Sequence, residues 1–229
     1  MVWLVNFLSH VARYAREIVS EHRFTKGSIA MSYGTNRGNG CKPIRYLNGS
    51  PWNGAQNAYP IASAYPTAVY QYDPVISLND GTIGIGVAGS PVRGVFTGIQ
   101  FTDTTGTLQN LPYWPAAQAT FGSANATAFI EDDPNLVMTM QETNGSGAAG
   151  TPLALTDVNL NINFYVQAGA APSYISGTTI NNASEDTTAT LNLKIMGLDP
   201  TPGNVVGSYA NWLVTWNTHE LKSVGTSGV

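Results

Sequence analysis

Hydrophobic and polar positions follow two different periods along the chain. Over residues 2–22, Leu4, Phe7, Leu8, Val11, Tyr14, Ala15, Ile18 and Val19 recur at three- and four-residue steps. That period places them on one face of an α-helix. It predicts a single amphipathic helix, suited to packing, to a membrane surface or to docking a partner. Beyond residue 60 the period falls to two. Leu160, Ile162, Phe164 and Val166 alternate with Asn161, Asn163, Tyr165 and Gln167, and the pattern returns in Leu191, Leu193, Ile195 and in Trp212, Val214, Trp216. Alternation of this kind marks half-buried strands.

Turn chemistry separates these strands. Val75–Leu78 runs into Asn79, Asp80 and Gly81 before Thr82–Ile85, a hairpin in which Gly81 supplies positive φ. Ala126–Ile130 and Leu136–Gln141 flank a turn at Asp132, Asp133, Pro134 and Asn135. Asn144–Gly150 and Ser173–Asp186 read as small-residue loops. No strand–helix alternation occurs, which excludes α/β folds. The prediction is an all-β body with an antiparallel sandwich or barrel over 61–222, open to division into sub-barrels at 61–115 and 116–222. Residues 1–30 form an N-terminal helical extension, 31–60 an extended arm and 223–229 a flexible tail.

The arm is rich in Gly, Asn and Pro, with isolated aromatics at Tyr33, Tyr46, Trp52 and Tyr59. Such a stretch sustains no long element, so it is expected to bury its aromatics on an external surface. Lys42, Arg45, Tyr46, Trp52 and Tyr59 are the candidate partner-binding residues. A gene-level reading of the start is also open. Lys26 and Gly27 have codons AARGGN, and three residues separate them from Met31, the spacing of a bacterial ribosome-binding site. On that reading translation starts at Met31 and residues 1–30 are not native.

Composition narrows the function. Charged residues make up 10% of the 229, against roughly 25% in an ordinary soluble domain. Shell, fibre and tube proteins share this trait, as do extracellular β proteins. Residues 1–45 hold seven basic residues and two acids, a net of +5; the remainder holds three basic residues and twelve acids, a net of −9. An acidic body is repelled by phosphate backbones, so no nucleic-acid partner is expected. Cys41 is the single cysteine, which excludes an internal disulfide and fits folding in a reducing cytosol. No run reaches the ~18–20 apolar residues that span a bilayer, and no membrane partner is expected. Residues 1–8 lack the basic start and cleavage site of a secretion signal.

Candidate chemistry is sparse. Gly84, Gly86 and Gly89 match GxGxxG, but Ser90, Pro91 and Val92 follow where a dinucleotide site needs a helix. The glycines therefore read as close β packing. His219 beside Glu220 is the body's one histidine, too little for a catalytic dyad or a zinc site. Glu131, Asp132 and Asp133 with Asn135 allow a calcium site or a glycosidase carboxylate, and otherwise a solvated turn. Asn-x-Ser/Thr triplets at Asn48, Asn125, Asn144 and Asn182 read as chance. Tyr113 and Trp114 would suit sugar stacking if exposed and core packing if not. No enzyme activity, metal or cofactor is expected.

Several segments together resemble a family of virion structural proteins from tailed bacteriophages. They are PIRYLNGSPWNG over 43–54 with Asn57 and Tyr59, DPV over 73–75, and Gly94, Val95, Phe96 with Gly98. Further on come YWPA over 113–116, AFIEDDP over 128–134, TLNLKI over 190–195, and WLV over 212–214 ending in Asn217 and His219. The resemblance spans about 42–222 and leaves out 1–30. It implies a capsid decoration or cement protein on the virion's capsid surface, assembled in the host cytoplasm. The implied partners are the major capsid protein and further copies of the chain, as a trimer. A carbohydrate- or receptor-binding fibre or tail module is the alternative.

Overall fold

The computed structural model describes residues 34–222 together with Gly225 and Gly228. The helix expected over 2–22 and the proposed start at Met31 lie outside the described residues. Thirteen strands follow in order: β1 (Lys42–Tyr46), β2 (Asn57–Ile61), β3 (Pro74–Ser77), β4 (Ile83–Ile85), β5 (Gly94–Thr102), β6 (Leu108–Leu111), β7 (Ala126–Glu131), β8 (Leu136–Thr143), β9 (Asn161–Ile162), β10 (Phe164–Tyr165), β11 (Thr179–Asn181), β12 (Leu193–Leu198) and β13 (Asn211–Trp216). Two short 3₁₀ turns, Phe121–Ser123 and Leu155–Asp157, complete the elements, and no α-helix occurs among the described residues.

The strands form two sheets. The smaller has the order β2-β7-β5-β3-β4, with β6 also on β5, and is antiparallel throughout. The larger has the order β10-β11-β8-β13-β12-β9, with β1 also on β8. The expected all-antiparallel body is corrected here, because β11 runs parallel to β8. Only Asn163 separates β9 from β10, yet these strands lie at opposite ends of the order. The two ends of the sheet therefore meet, and the sheet is nearly closed and barrel-like. The expected single strand over 160–166 is thus two. Asn163 makes the switch: its carbonyl accepts from the Asn181 amide (2.9 Å), its amide donates to Ser184 Oγ (3.0 Å), and its Oδ1 accepts from the Asn192 amide (3.2 Å).

Burial explains β8. All eight of its residues are buried, because β1 and β11 line one edge, β13 the other, and both faces are covered. Met138, Met140, Trp212, Val214 and Trp216 anchor this core; Phe96, Ile99, Trp114 and Ile130 anchor that of the smaller sheet. Each fully buried large side chain stabilises by roughly 1.5–3 kcal/mol. Trp114 has no exposed surface, meets Phe101 edge-on at 5.4 Å and donates Nε1–H to the Tyr65 carbonyl. It is core.

Three boundaries read from sequence are corrected. The division at 115/116 fails because β7 pairs with both β5 and β2. The expected extended arm over 31–60 is not free where it is described: β1 pairs with β8 and β2 with β7, which ties both stretches into the body's sheets. The loop over 173–186 contains β11, fixed by a Thr143–Thr179 hydroxyl contact of 2.6 Å and by the Asn182 amide donating to the Thr143 carbonyl. In the expected tail, the Gly228 amide donates to the Thr187 carbonyl.

The Asn-, Asp-, Ser- and Thr-rich composition has a local cause. Asp80, Asp103 and Asp199 each accept, on one Oδ1, both the amide and the hydroxyl of the Thr two residues on. Asn48 and Asn144 do the same with Ser50 and Ser146. Side-chain oxygens thus close these turns. Two of the four Asn-x-Ser/Thr triplets are turn locks of this kind.

Candidate functional site

The β7–β8 turn is the point on which the arm's aromatics converge. The Leu136 amide donates to the Asp133 carbonyl and the Asn135 amide to Asp133 Oδ1, closing the turn. A hairpin over 44–52 folds back beside it, with Tyr46 N–H on the Ser50 carbonyl and Trp52 N–H on the Ile44 carbonyl. The Leu47 amide then reaches the Asn135 carbonyl. This placement aims Trp52 Nε1–H at Glu131 Oε2 (2.7 Å), with Tyr46 Oη–H more distantly on the same oxygen (3.4 Å). Glu131 is buried. Burial pushes its carboxyl up against the lowering effect of the Trp52 bond. Tyr46 is pushed up to about 12, by desolvation first and the Glu131 charge second.

Asp132 faces the other way. Tyr59 Oη–H donates to its Oδ2 and Asn57 Nδ2–H to its Oδ1 (2.8 Å). Arg93 donates Nη2–H to Tyr59 Oη (2.6 Å), lies 4.7 Å over the Tyr59 ring and approaches Glu220 at 3.7 Å. Glu220 accepts the Ser77 amide and hydroxyl. His219 is buried, bridges to Val92, and accepts the Leu221 amide on Nδ1. Desolvation pushes it down to about 4, so it is neutral at pH 7. His219 and Glu220 therefore point to different partners and form no dyad.

Of the five partner-binding candidates, the structure brings Tyr46, Trp52 and Tyr59 together and leaves the two cations aside. Lys42 is exposed and acts at a distance on Asp199, while Arg45 donates to the Tyr46 carbonyl. The three aromatics each hydrogen-bond to an acid within the chain. Glu131, Asp132 and Asp133 likewise turn to separate partners. Among the described residues no three His, Cys, Asp or Glu side chains are grouped to hold a metal ion.

Two glycines of GxGxxG serve packing, while Gly89 has open space around it and takes a positive φ of 83°. Gly84 lies against the Tyr65 hydroxyl, and a Cβ on Gly86 would press on Pro74, whose carbonyl accepts the Gly86 amide.

Sequence reading missed two buried acids. Asp73 accepts Ser176 Oγ–H, Thr178 Oγ1–H and the Tyr70 amide, and burial raises it to about 6. Glu142 has no exposed surface, accepts the Leu153 amide at 2.9 Å and is raised to about 7 by burial. Glu142 follows directly on the strand read over Leu136–Gln141, and Asp73 enters the sequence reading only through the DPV segment. The reading also missed a stack of tyrosines. Tyr113 lies between Tyr174 (4.0 Å, 2°) and Tyr70 (6.1 Å, 11°).

Comparison of the chain with protein-family models, with curated proteins and with solved structures finds no match.

Proposed function

We propose that this chain is a virion structural protein of a tailed bacteriophage, a decoration protein that binds the major capsid protein lattice and bridges coat subunits as a trimer. The observation that carries this reading is spatial. The resembling segments over 43–59 and 128–134 are far apart in sequence and meet at Glu131 and Asp132, with Arg93 and Glu220 beside them. Their shared order and spacing therefore correspond to one three-dimensional seam. The turn locks fit a body that presents a rigid surface, and the low charge fits a surface that meets neighbours.

The seam uses the arm internally, so the lattice contact falls to other surface. Leu108, Phe121, Leu155 and Val205 are each between 59% and 64% exposed, and such side chains gain most from being covered. Repetition over many copies strengthens a weak single contact through avidity. The test is co-sedimentation of the purified chain with emptied phage heads lacking their own decoration. Saturable binding, lowered by Leu155→Asp or Leu108→Asp in a folded protein, is expected. Absence of binding at micromolar protein overturns the reading.

A further inference from the structure

The tyrosine stack lies between two grooves that the seam does not use, one of mixed lining and one mainly polar. One, of about 510 Å³, is lined by Asn36, Arg37, Asn39, Gln167 and Ser173 over a floor of small residues. Its walls are three chain segments in backbone contact. A Cβ on Gly38 would strike the Gly177 backbone, one on Gly177 the Ala168 carbonyl, and one on Gly169 the Ile175 carbonyl and the Tyr70 ring. The Arg37 amide is fixed by Gln141 Oε1 (2.6 Å), and Asn36 by the Gly147 carbonyl (2.9 Å). The second groove, of about 380 Å³, is lined by Asp103, Thr104, Thr105, Gln109, Gln118 and Tyr113. Asp103 is held by Thr105, Thr107 and Gln109, bonds that keep its carboxyl ionised.

Tyrosines join the two. Tyr70 backs onto the first groove at Gly169, Tyr174 sits between its lining residues Ser173 and Ile175, and Tyr113 lines the second groove. Tyr174 meets Tyr113 on one face and no other ring among the described residues.

We propose that this ridge and its two grooves bind an extended polysaccharide. Both volumes fall in the range of ligand sites. Planar amides, hydroxyls and one carboxylate offer paired donors and acceptors to vicinal hydroxyls. An aromatic ring offers an apolar face with a polar edge to the sugar's C–H surface. Nucleic acid fits poorly: binding a strand requires a cationic groove, whereas one groove holds a single Arg and the other an ionised Asp. A peptide ligand would call for apolar pockets or a paired strand edge, and the second groove presents mostly polar surface.

The test uses the full chain in affinity electrophoresis through gels containing dextran, alginate or purified bacterial O-polysaccharide, backed by a printed array of bacterial surface polysaccharides. Retention by at least one of these is expected. Gln118→Ala, whose side chain bonds only the Ala119 carbonyl, should weaken it at least threefold. Tyr174→Phe, which keeps the stack, should weaken it less than Tyr174→Ala. Arg37→Ala should matter more for alginate than for dextran. Thr187→Ala, outside both grooves, should change nothing. The inference is overturned if no polysaccharide is retained, if retention is equal in all variants, or if single-stranded DNA or an unstructured peptide is held by these residues instead. Binding to emptied heads is a separate measurement, so failure here leaves the decoration proposal standing.

Discussion

Trp52 is where an internal role and an external role predict opposite results. Its indole N–H meets the buried Glu131 carboxylate at 2.7 Å, and the other bond to that oxygen, from Tyr46, is long at 3.4 Å. A hydrogen bond to a charged group contributes about 1.5–3 kcal/mol, and removing it leaves a buried acceptor short of a partner. Trp52→Phe keeps most of the ring and loses this bond, so it should destabilise by about 1.5–3 kcal/mol. Trp52→Ala adds the loss of a half-buried ring packed on the larger core and should reach about 3–5 kcal/mol, near the upper range for large-to-small changes. Urea unfolding followed by near-UV circular dichroism is the assay, with the slope against denaturant expected to be unchanged. An external anchor would leave stability alone and weaken only head binding. If Trp52→Ala unfolds within 0.5 kcal/mol of the parent protein, the seam does not hold the fold as argued.

Other consequences concern pH and packing. Glu142 titrates near 7 when folded against a usual 4.5, so the protonated form favours the fold and stability falls as pH rises from about 4.5 to 7. Glu142→Gln should remove that fall and gain about 3 kcal/mol at pH 8 relative to pH 4.5, read from paired urea midpoints. Asp73, raised to about 6, works in the same direction. His219, lowered to about 4, works against both, and His219→Gln should steepen the loss of stability between pH 4 and 6.5. Gly94→Ala should prevent folding or destabilise by more than about 3 kcal/mol. Its Cβ would press on the Glu131 carbonyl where β5 passes β7, and thermal unfolding would show this.

Sequence reading reached the β class and the hairpin at Gly81, whose φ of +81° and flanking β3–β4 pairing match the expected turn. Period two and turn residues are local properties, and they are written locally. The arm was misread because Gly-, Asn- and Pro-rich stretches look the same whether they lie free or along an edge of a central strand. What decides is the partner: β8 and β7 are about 90 and 70 residues away, and pairing at that distance leaves no local trace. The switch at Asn163 was hidden for a similar reason. Alternation continues unbroken through Leu160–Val166 while the chain changes sheet edge, because only long-range bonds to Asn181, Ser184 and Asn192 mark the break. Of the site, the Glu131–Asp133 turn and the three aromatics were visible as residues. Their joining into one seam was not, and neither was the burial of Asp73 and Glu142, which depends on distant partners at Ser176, Thr178 and Leu153.

The central functional claim is tested most directly by a cryo-electron microscopy map of intact particles that incorporate this chain. The account predicts density for the two-sheet body on the outer face of the capsid, at symmetric positions where coat subunits meet, with Trp52 folded against Glu131 within each copy. Density confined to the tail or fibres, or a Trp52 inserted into a coat-protein pocket, would contradict it.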